Sequence, residues 1–426
     1  MMTLLQQPAD SDIRVRLHGG RTLLHNPILR QRLTQEYLIL DAYVAGEPRV
    51  DLHPLMLSPA LHAQAVAAAE GIYRAVANVA GLAHADAEER ARYGLHPEVH
   101  ELAAASHAAG DTASLVRVDL LLGEDGVFRA CEVNADCPGG HNEAYGLPRL
   151  TEAAGFCDGI DPTSVVPATV RRLGELAGDG AVALIYATAY AEDLQVCALL
   201  RRMLMRQGIS AILASPTALR WRDGALRVGT QAVTALYRYF PTEYMEGQQN
   251  LGEIVRAISA RRVKTLSSFA QIYPQSKLAF ARTFALRDTL PAADAVAVTR
   301  HMPATFLYSE IERTELLSSR PQWVLKRALG RVGDEVFVGP LIDEEDWPAL
   351  LDVVATRCAE GEVWLAQRFV PQRRIETPYG SRLVTLGVYL LDGRFVGYFA
   401  RLTSESHVSH DALCLPVFVA AKEPRA

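Results

Sequence analysis

The amino-acid sequence predicts a mixed α/β (α+β) fold, and three changes of pattern along the chain indicate it. Residues 27–110 carry apolar side chains at helical spacing. Residues 114–134 switch to the alternation of a β-hairpin, and from residue 180 a strand, a helix and a strand follow one another. Because the chain has 426 residues and single cores stop growing well below that length, two or three domains are expected.

The first region, residues 1–110, is predicted to be a helical N-terminal segment. The stretch "SPALHAQAVAAAEGIYRAVANVAGL" repeats small and apolar residues at the spacing of one helix face. Ser58 stands just before this stretch and is a suitable N-cap, since its hydroxyl can accept a hydrogen bond from the first turn.

The second region, residues 111–175, contains the hairpin. "SLVRVDLLL" and "VFRACEVN" alternate in the manner of strands and are joined by "GEDG", which has turn chemistry. The following "PGGHNEAYGLP" is predicted to be a Gly-rich loop that lets the backbone pass close to a ligand.

The rest of the chain is predicted to form two further parts. Residues 176–265 contain "AVALIYAT", an amphipathic helix and "ISAILAS", which suggests a βαβ unit. Residues 266–426 begin with a helical stretch at 274–290. Five strands follow, two of them in "QWVLKRALGRVGDEVFVGP".

Composition excludes several classes of protein. A net charge of −6 argues against non-specific nucleic-acid binding, which needs a basic surface. The six cysteines are scattered without a C-x-x-C pair, as expected for reduced thiols. There is no signal-peptide pattern and no long uninterrupted apolar run. We therefore expect a soluble cytoplasmic protein that does not bind membranes.

The hairpin collects one cation, two carboxylates and an amide. Since alternate residues of a strand share a face, Arg117 lies beside Asp119, and Glu132 beside Asn134. Carboxylate and amide oxygens are the ligands that Mg²⁺ prefers, and the Arg guanidinium fork suits phosphate. The alternative is a solvated sheet face carrying an Asp–Arg pair. Pro138 and the polar loop that follows favour the ligand-binding interpretation.

Three later segments carry further candidates. Lys326 ends an apolar strand before a Gly-containing loop, a common arrangement for holding phosphates, although an ordinary basic hairpin would look the same. Backbone at Phe369 and Val370, after Gln367, could meet an adenine edge. Arg401 stands near a strand end before a polar loop. Neither a Walker A loop nor a G-x-G-x-x-G motif occurs.

Taken in order, these segments resemble the ATP-grasp superfamily, and most of all the synthetase domain of glutathionylspermidine synthases and related circularly permuted ATP-grasp ligases. That family has R-x-D followed about a dozen residues later by E-x-N-x-D-x-P. The corresponding residues here are Arg117, Asp119, Glu132, Asn134, Asp136 and Pro138. The hairpin precedes Lys326, as in the permuted members, and the likeness covers most of residues 110–420.

The resemblance implies a role for each candidate. Mg²⁺ would be held by Asp119, Glu132 and Asn134, and ATP phosphates by Lys326 and by an earlier cation, either Lys277 or its rival Arg282. Adenine would lie against the strand end at Gln367, Phe369 and Val370. Arg117 or the lid residue Arg401 would stabilise the transferred phosphoryl group. The candidates for the substrate pocket are His141, Glu143, Arg238 and Tyr239.

The implied reaction is ligation of a small-molecule carboxylate to an amine through an acylphosphate, with ATP and Mg²⁺ as cofactors. Cys137 occupies a position where the family often has Thr, no papain-like amidase is present, and no glutathione-binding set is recognisable. Two alternatives stay open: a small-molecule kinase on the same fold and a non-catalytic nucleotide-binding protein. The sequence leaves the oligomeric state open, and a homodimer is compatible with it.

Overall fold

The computed structural model describes residues 12–18, 26–44, 46–156, 158–330, 335–407 and 412–421. The described residues confirm the mixed α/β prediction. Their helices are α1 (Pro27–Gln35), α2 (Pro59–Ala80), α3 (Leu82–Ala85), α4 (Ala87–Ala91), α5 (Pro97–Ala109), α6 (His141–Ala153), α7 (Val165–Ala177), α8 (Ala191–Arg206), α9 (Leu251–Ser259), α10 (Ile272–Gln275), α11 (Leu278–Ala285), α12 (Ala292–His301), α13 (Arg313–Ser318) and α14 (Trp347–Ala359).

The strands belong to several sheets of different size. They are β1 (Ile13–Val15), β2 (Tyr43–Val44), β3 (Glu47–Pro48), β4 (Leu55–Leu57), β5 (Leu115–Leu122), β6 (Phe128–Asn134), β7 (Gly159–Ile160), β8 (Val182–Tyr186), β9 (Ala211–Ala214), β10 (Leu219–Arg222), β11 (Ala225–Val228), β12 (Gln231–Val233), β13 (Ala235–Tyr239), β14 (Lys264–Leu266), β15 (Thr305–Leu307), β16 (Trp323–Arg327), β17 (Val336–Val338), β18 (Trp364–Arg368), β19 (Ile375–Thr377), β20 (Gly380–Leu391), β21 (Arg394–Thr403), β22 (Leu413–Leu415) and β23 (Val417–Ala420).

The described residues of the N-terminal region are mostly helical, as predicted. The Ser58 side chain caps α2 by accepting a hydrogen bond from the Leu61 N–H. The buried face of α2 is rich in alanine, and at Gly71 a Cβ atom would lie 2.8 Å from the Ala297 side chain. Small residues therefore let α2 and α12 approach closely. The sequence pattern did not indicate that β4 of this region pairs with β23, at the other end of the chain.

The predicted hairpin, β5 and β6, lies at one edge of the largest sheet. The strand order is β22-β21-β20-β5-β6, with every neighbouring pair antiparallel. One face of this sheet packs on α2 and contributes Val116, Val118 and Leu120 to the core. The other face carries the polar side chains of the candidate site.

The hairpin register brings the predicted polar residues together and then shifts. Arg117 is paired with Asn134, and Asp119 with Glu132, but Leu120 is paired with Ala130. Cys131 is therefore the extra residue of a β-bulge. A bulged residue leaves the regular ladder, so its backbone groups become available to other partners.

The prediction of a Gly-rich loop after the hairpin is correct for residues 138–140 and wrong from His141 onward. Residues 138–140 are irregular, and Gly140, with φ of 89°, is the N-cap of helix α6. From His141 the chain is helical, and Pro148 lies inside the helix. The prediction gave too much weight to glycine and proline and missed the helical spacing of the buried residues Ala144, Leu147 and Leu150.

The middle region has the predicted βαβ arrangement. Strands β8 and β9 are parallel and are joined by α8, and the whole sheet, in the order β14-β13-β8-β9, is parallel. Parallel neighbours need crossover connections, which α8 and α9 provide.

The C-terminal region supplies a small antiparallel sheet in the order β15-β18-β16-β17. The predicted helical stretch at 274–290 is confirmed as α10 and α11, and Lys277 lies between the two helices. Residues 331–334 of the loop after Lys326 lie outside the described residues. No helix in the described part of the chain has both the length and the apolar character needed to span a membrane.

Candidate active site

Asp119 is at the centre of a cluster of charged residues on the large sheet. Its Oδ1 accepts a hydrogen bond from Arg117 Nε at 2.7 Å, and its Oδ2 accepts one from Arg117 Nη2 at 2.9 Å. Arg401 Nη2 donates to the same Oδ2 at 2.6 Å. The Asp119 carboxylate is 1% exposed. Two arginines therefore hold one buried carboxylate, a charge-assisted arrangement stronger than neutral hydrogen bonds.

The contact between Arg401 and Asp119 depends on a glycine in the strand between them. Arg401 is on β21 and Asp119 on β5, and β20 separates these strands. A Cβ atom at Gly387 of β20 would lie 2.7 Å from Arg117 Cδ and 3.1 Å from Asp119 Oδ1. Gly387 was missed in the sequence, although a lone glycine inside the apolar "LVTLGVYLL" often marks a close approach.

The electrostatics of the cluster follow from these contacts. Burial by itself would raise the pKa of Asp119, but the positive charges of Arg117 and Arg401 outweigh it and keep that pKa well below its usual value. Burial works against the Arg117 charge as well, but Asp119 keeps the Arg117 pKa raised. Asp119 and Arg117 are therefore charged at any physiological pH.

Glu132 and Asn134 occupy the outer side of the same hairpin. Asn134 Nδ2 donates to Asp119 Oδ2 and to Glu132 Oε1, each at 3.3 Å. The Glu132 side chain is 27% exposed. Within the described residues, the Asn134 amide oxygen accepts no hydrogen bond. These oxygens are of the type that Mg²⁺ prefers when substrate phosphates and water supply the remaining ligands.

Of the three predicted Mg²⁺ ligands, Asp119 is less suited to bind the ion than Glu132 and Asn134. Its two oxygens already accept four hydrogen bonds, about as many as a carboxylate has lone-pair positions. To bind a cation, Asp119 would have to release Arg401 or Asn134. The geometry therefore fits Glu132 and Asn134 as direct ligands and Asp119 as the group that anchors the arginines.

Two lysines approach the hairpin from outside the large sheet. Lys277 Nζ lies 3.6 Å from Glu132 Oε2 and donates to the Gly330 carbonyl at 2.7 Å. Lys326 Nζ donates at 3.0 Å to the carbonyl of the bulged residue Cys131. Both lysines are at least 92% buried, with exposures of 7% and 8%. The chain has only four lysines among its 43 basic Lys and Arg residues, and that scarcity could have singled out this pair.

Arg282, the rival of Lys277, is elsewhere. It forms a two-pronged ion pair with Glu89, with Nε at 2.6 Å and Nη2 at 2.9 Å from the carboxylate oxygens. Lys277 is therefore the cation of this segment that meets the hairpin.

Gln275 is a site residue that the sequence analysis missed. Its Oε1 accepts hydrogen bonds from the backbone N–H groups of Ala135, at 2.8 Å, and Asp136, at 3.0 Å. Gln275 is 4% exposed and ends α10, immediately before the segment with Lys277. One amide thus joins the end of the hairpin to the lysine segment. No sequence motif signals such a contact, because the residues are 140 and 139 positions apart.

The side chain of Gln367 is engaged by other residues, and the predicted contact of this strand end with adenine stays a prediction. Gln367 Oε1 accepts from Lys326 Nζ at 2.8 Å, and Nε2 donates to Thr305 Oγ1 at 3.0 Å. Its amide therefore positions Lys326. The Phe369 N–H donates to the Gln322 carbonyl at 2.8 Å, which leaves the Phe369 carbonyl and the Val370 N–H as the candidate adenine contacts.

Arg401 lies near the end of a strand, as predicted, and its role as a lid residue stays a prediction. It lies within β21, paired with Thr385 of β20 and Cys414 of β22. The strand pairing fixes its backbone, so its guanidinium group reaches the site from a rigid position.

The predicted substrate residues lie behind the site and not on its surface. His141 is fully buried, and burial followed by the nearby charge of Arg117 lowers its pKa to about 3. Glu143 is 4% exposed and forms an ion pair with Arg49. Arg238, also buried, lies 2.5 Å from Asp136 and so ties the motif aspartate to β13. Tyr239 is 7% exposed, with its hydroxyl next to Gly139.

These contacts do not bring His141, Glu143 and Arg238 together as a pocket. Burial raises the pKa of Glu143 to about 7, and Arg49 opposes part of that rise. The arrangement of the three residues favours structural roles, and their predicted contact with substrate stays a prediction.

Comparison with known proteins supports the resemblance stated from the motif. Residues 56–420 match the family described as glutathionylspermidine synthase preATP-grasp. The structure is similar to a glutathione synthetase-like effector from Globodera pallida, with a TM-score of 0.59, 12% identity, and coverage of 92% of this chain and 97% of that one.

A protein from Methylobacillus flagellatus named as a gamma-glutamylcysteine synthetase has a TM-score of 0.43 and 13% identity, covering 72% of this chain and 80% of its own; this likeness is too weak to carry an argument. A comparison with curated protein sequences found no match. The family match and the effector structure confirm the predicted ATP-grasp type of fold.

Proposed function

Because this chain belongs to the glutathionylspermidine synthase preATP-grasp family, we propose that it is an ATP-dependent ligase that joins a carboxylate to an amine. One observation carries the proposal. Arg401, Lys277 and Lys326 come from separate parts of the chain and gather at the hairpin that carries Glu132 and Asn134. In a protein with a net charge of −6, such a local excess of cations suits a polyphosphate.

The first proposed step transfers the terminal phosphoryl group of ATP to the substrate carboxylate. A carboxylate oxygen attacks the γ-phosphorus, the bond from phosphorus to the β,γ-bridging oxygen breaks, and ADP leaves with that electron pair. Phosphoryl transfer needs positioning and charge neutralisation, with no protein nucleophile. The site fits this demand, since its functional groups are cations and hydrogen-bond donors held by buried partners.

Four basic residues of the site have different roles in this first step. Lys277 and Lys326 neutralise phosphate oxygens, and each is already held by a backbone carbonyl that limits its motion. Arg401 faces the transferred group from its fixed place on β21. Arg117 acts as a positioning residue, because two of its nitrogens bind Asp119 and Nη1 donates to the Gly139 carbonyl at 2.8 Å.

Glu132 and Asn134 would hold the Mg²⁺ that enzymes of this kind use. When bound, the ion supplies further neutralisation of phosphate charge and fixes the orientation of the phosphates. Asp119 contributes indirectly, since it keeps both arginines and the Asn134 amide in place.

In the second proposed step the amine nitrogen attacks the acyl carbon of the acylphosphate. The bond between that carbon and the phosphate oxygen breaks, inorganic phosphate leaves, and the nitrogen loses a proton to give the amide. Water would compete with the amine, so the site must be closed while the acylphosphate exists.

The test is mass-spectrometric. The full chain is incubated with ATP, Mg²⁺ and pools of carboxylates and amines, including amino acids and polyamines. The expected product has the summed mass of two substrates less one water, formed with equal amounts of ADP and phosphate. ADP formation with a phosphorylated acid and no amide would identify a kinase, and ATP binding without any turnover would identify a non-catalytic protein.

Arg401→Ala tests the chemical step. It should lower the rate of ADP formation about 100-fold or more while ATP affinity changes little, because the lost cation acts mainly on developing charge. Arg222→Ala, an exposed arginine on β10, is the matched control. A loss confined to ATP affinity would contradict the role given to Arg401.

A further inference from the structure

The buried carboxylate of Asp136, just beyond the hairpin, takes no part in the proposed chemistry. Asp136 stands two residues after Asn134, the last residue of β6. Within the described residues, the pairing of β6 with β5 ends at Arg117 and Asn134. The side-chain hydrogen bonds of Asn134 are both 3.3 Å long, which is more than usual. The position of Asn134 therefore depends on what holds the backbone that follows it.

The Asp136 carboxylate is held by donors from the segment 238–242. Its Oδ1 accepts a hydrogen bond from Arg238 Nη2 at 2.5 Å and one from Thr242 Oγ1 at 2.7 Å. Its Oδ2 accepts one from the Thr242 N–H at 2.8 Å. Asp136 is 1% exposed, Arg238 2% and Thr242 0%. A buried carboxylate with three such donors is fixed in place, because leaving any of them unpaired is costly.

Arg238 is itself held on several sides. Its Nη1 donates to the Phe240 carbonyl at 2.6 Å, and its Nη2 also donates to the Ser267 carbonyl at 3.3 Å. Its guanidinium carbon lies 4.6 Å from the centre of the Phe269 ring. Arg238 is on β13 and Ser267 follows β14, and these two strands are parallel neighbours. The end of the hairpin is thus attached to the carboxyl edge of the parallel sheet.

We propose that Asp136 and Arg238 are positioning residues for the metal side of the proposed active site. By fixing the backbone after β6, this ion pair keeps Asn134 and Glu132 where they can hold Mg²⁺. A buried ion pair adds little net stability compared with apolar residues of similar size, so its main effect here is on geometry. This inference rests on the proposed function, since it concerns the ion that the ligase would use.

The test is calorimetric titration of the full chain with a non-hydrolysable ATP analogue, in EDTA and in Mg²⁺. The gain from Mg²⁺ is the ratio of the two dissociation constants. Asp136→Asn should lower this gain about tenfold, or to one if the wild-type gain is smaller, because losing groups that support metal ligands weakens metal binding about 10- to 100-fold. Affinity in EDTA should stay within about a factor of two, since Lys326 keeps its own partners.

A second substitution and a control separate positioning from general loss of structure. Arg238→Met should lower the gain as Asp136→Asn does, and the double variant should lose no more than the larger single loss, because both break one contact. Asp111→Asn is the matched control. Asp111 is 7% exposed and accepts hydrogen bonds from the N–H, at 3.1 Å, and the Oγ1, at 2.5 Å, of Thr265. Its variant should keep the full Mg²⁺ gain.

Thermal melting shows whether each variant folds. If Asp136→Asn does not fold, Thr242→Val replaces it, because valine removes only the hydroxyl donor and keeps the N–H; its gain should fall about threefold. An unchanged gain in the folded Asp136 and Arg238 variants, or an equal fall in Asp111→Asn, overturns the positioning role while the proposed function stands. A wild type whose affinity for the analogue does not respond to Mg²⁺ overturns the proposed metal site together with this inference.

Discussion

Replacing Lys326 by methionine tests the phosphate site most directly. Methionine keeps an unbranched side chain of similar length but removes the ammonium group, which donates at 3.0 Å to the Cys131 carbonyl and at 2.8 Å to Gln367 Oε1. Because Lys326 is 8% exposed, the lost charge acts over a short, poorly hydrated distance. We expect a large loss of ATP affinity and a smaller loss of stability.

The magnitude follows from the contacts. A lysine and a phosphate charge about 4 Å apart attract by about 4 kcal/mol at an effective dielectric constant of about 20. Lys326 uses two of its three N–H donors, so the third can meet a phosphate, and giving up the water that it binds in the free protein costs about 1 kcal/mol. The net contribution is therefore about 3 kcal/mol, and since each 1.4 kcal/mol corresponds to a tenfold change, Lys326→Met should bind ATP about 100-fold more weakly.

The assay is calorimetric titration of the wild type and of Lys326→Met with a non-hydrolysable ATP analogue and Mg²⁺. Lys264→Met serves as the matched control, because Lys264 is an exposed lysine on β14. Urea unfolding of each variant separates lost affinity from lost folding, with an expected destabilisation of about 1–3 kcal/mol for Lys326→Met. Equal affinities for Lys326→Met and Lys264→Met would move the phosphate site elsewhere in the molecule.

Three further predictions concern the hairpin. Mg²⁺ should raise the affinity of the wild type for the ATP analogue, and Glu132→Gln should remove most of that gain. The affinity of Glu132→Gln for the analogue in EDTA, without Mg²⁺, should equal that of the wild type. If Mg²⁺ raises the affinity of Glu132→Gln as much as that of the wild type, Glu132 is not a metal ligand. Gln275→Leu should lower the free energy of unfolding, measured in urea, by about 2 kcal/mol or more, because it leaves the buried N–H groups of Ala135 and Asp136 without an acceptor. Gln275→Glu keeps an acceptor oxygen and should retain most of the stability. Asp119 has a depressed pKa, so its contribution to stability is present above the unfolded value of 3.8 and is lost as the pH falls through the folded value. The stability gap between the wild type and Asp119→Asn should therefore shrink only in strong acid, and a gap that shrinks near neutral pH would contradict this assignment.

Within the hairpin, local pattern was enough to predict which residues of each strand share a face, but not the register. Strand alternation put Arg117 beside Asp119 and Glu132 beside Asn134. The register set by the turn would pair Arg117 with Val133, and only the bulge at Cys131 shifts it so that Arg117 pairs with Asn134. The helical N-terminal region, the βαβ unit and the apolar strand ending near Lys326 followed from the same kind of short-range signal.

The tertiary structure decided which of these groups meet and what each contact does. Arg401 and Asp119 are 282 positions apart in the chain. They meet because the sheet order leaves only β20 between their strands, and because Gly387 of β20 has no side chain to keep them apart. Gln367 binds Lys326, and the Cys131 bulge supplies a carbonyl for the same lysine. Alternation and turn chemistry determine how neighbouring residues face, but they carry no information about which distant strands pair, since that depends on how the apolar faces of the whole chain pack together.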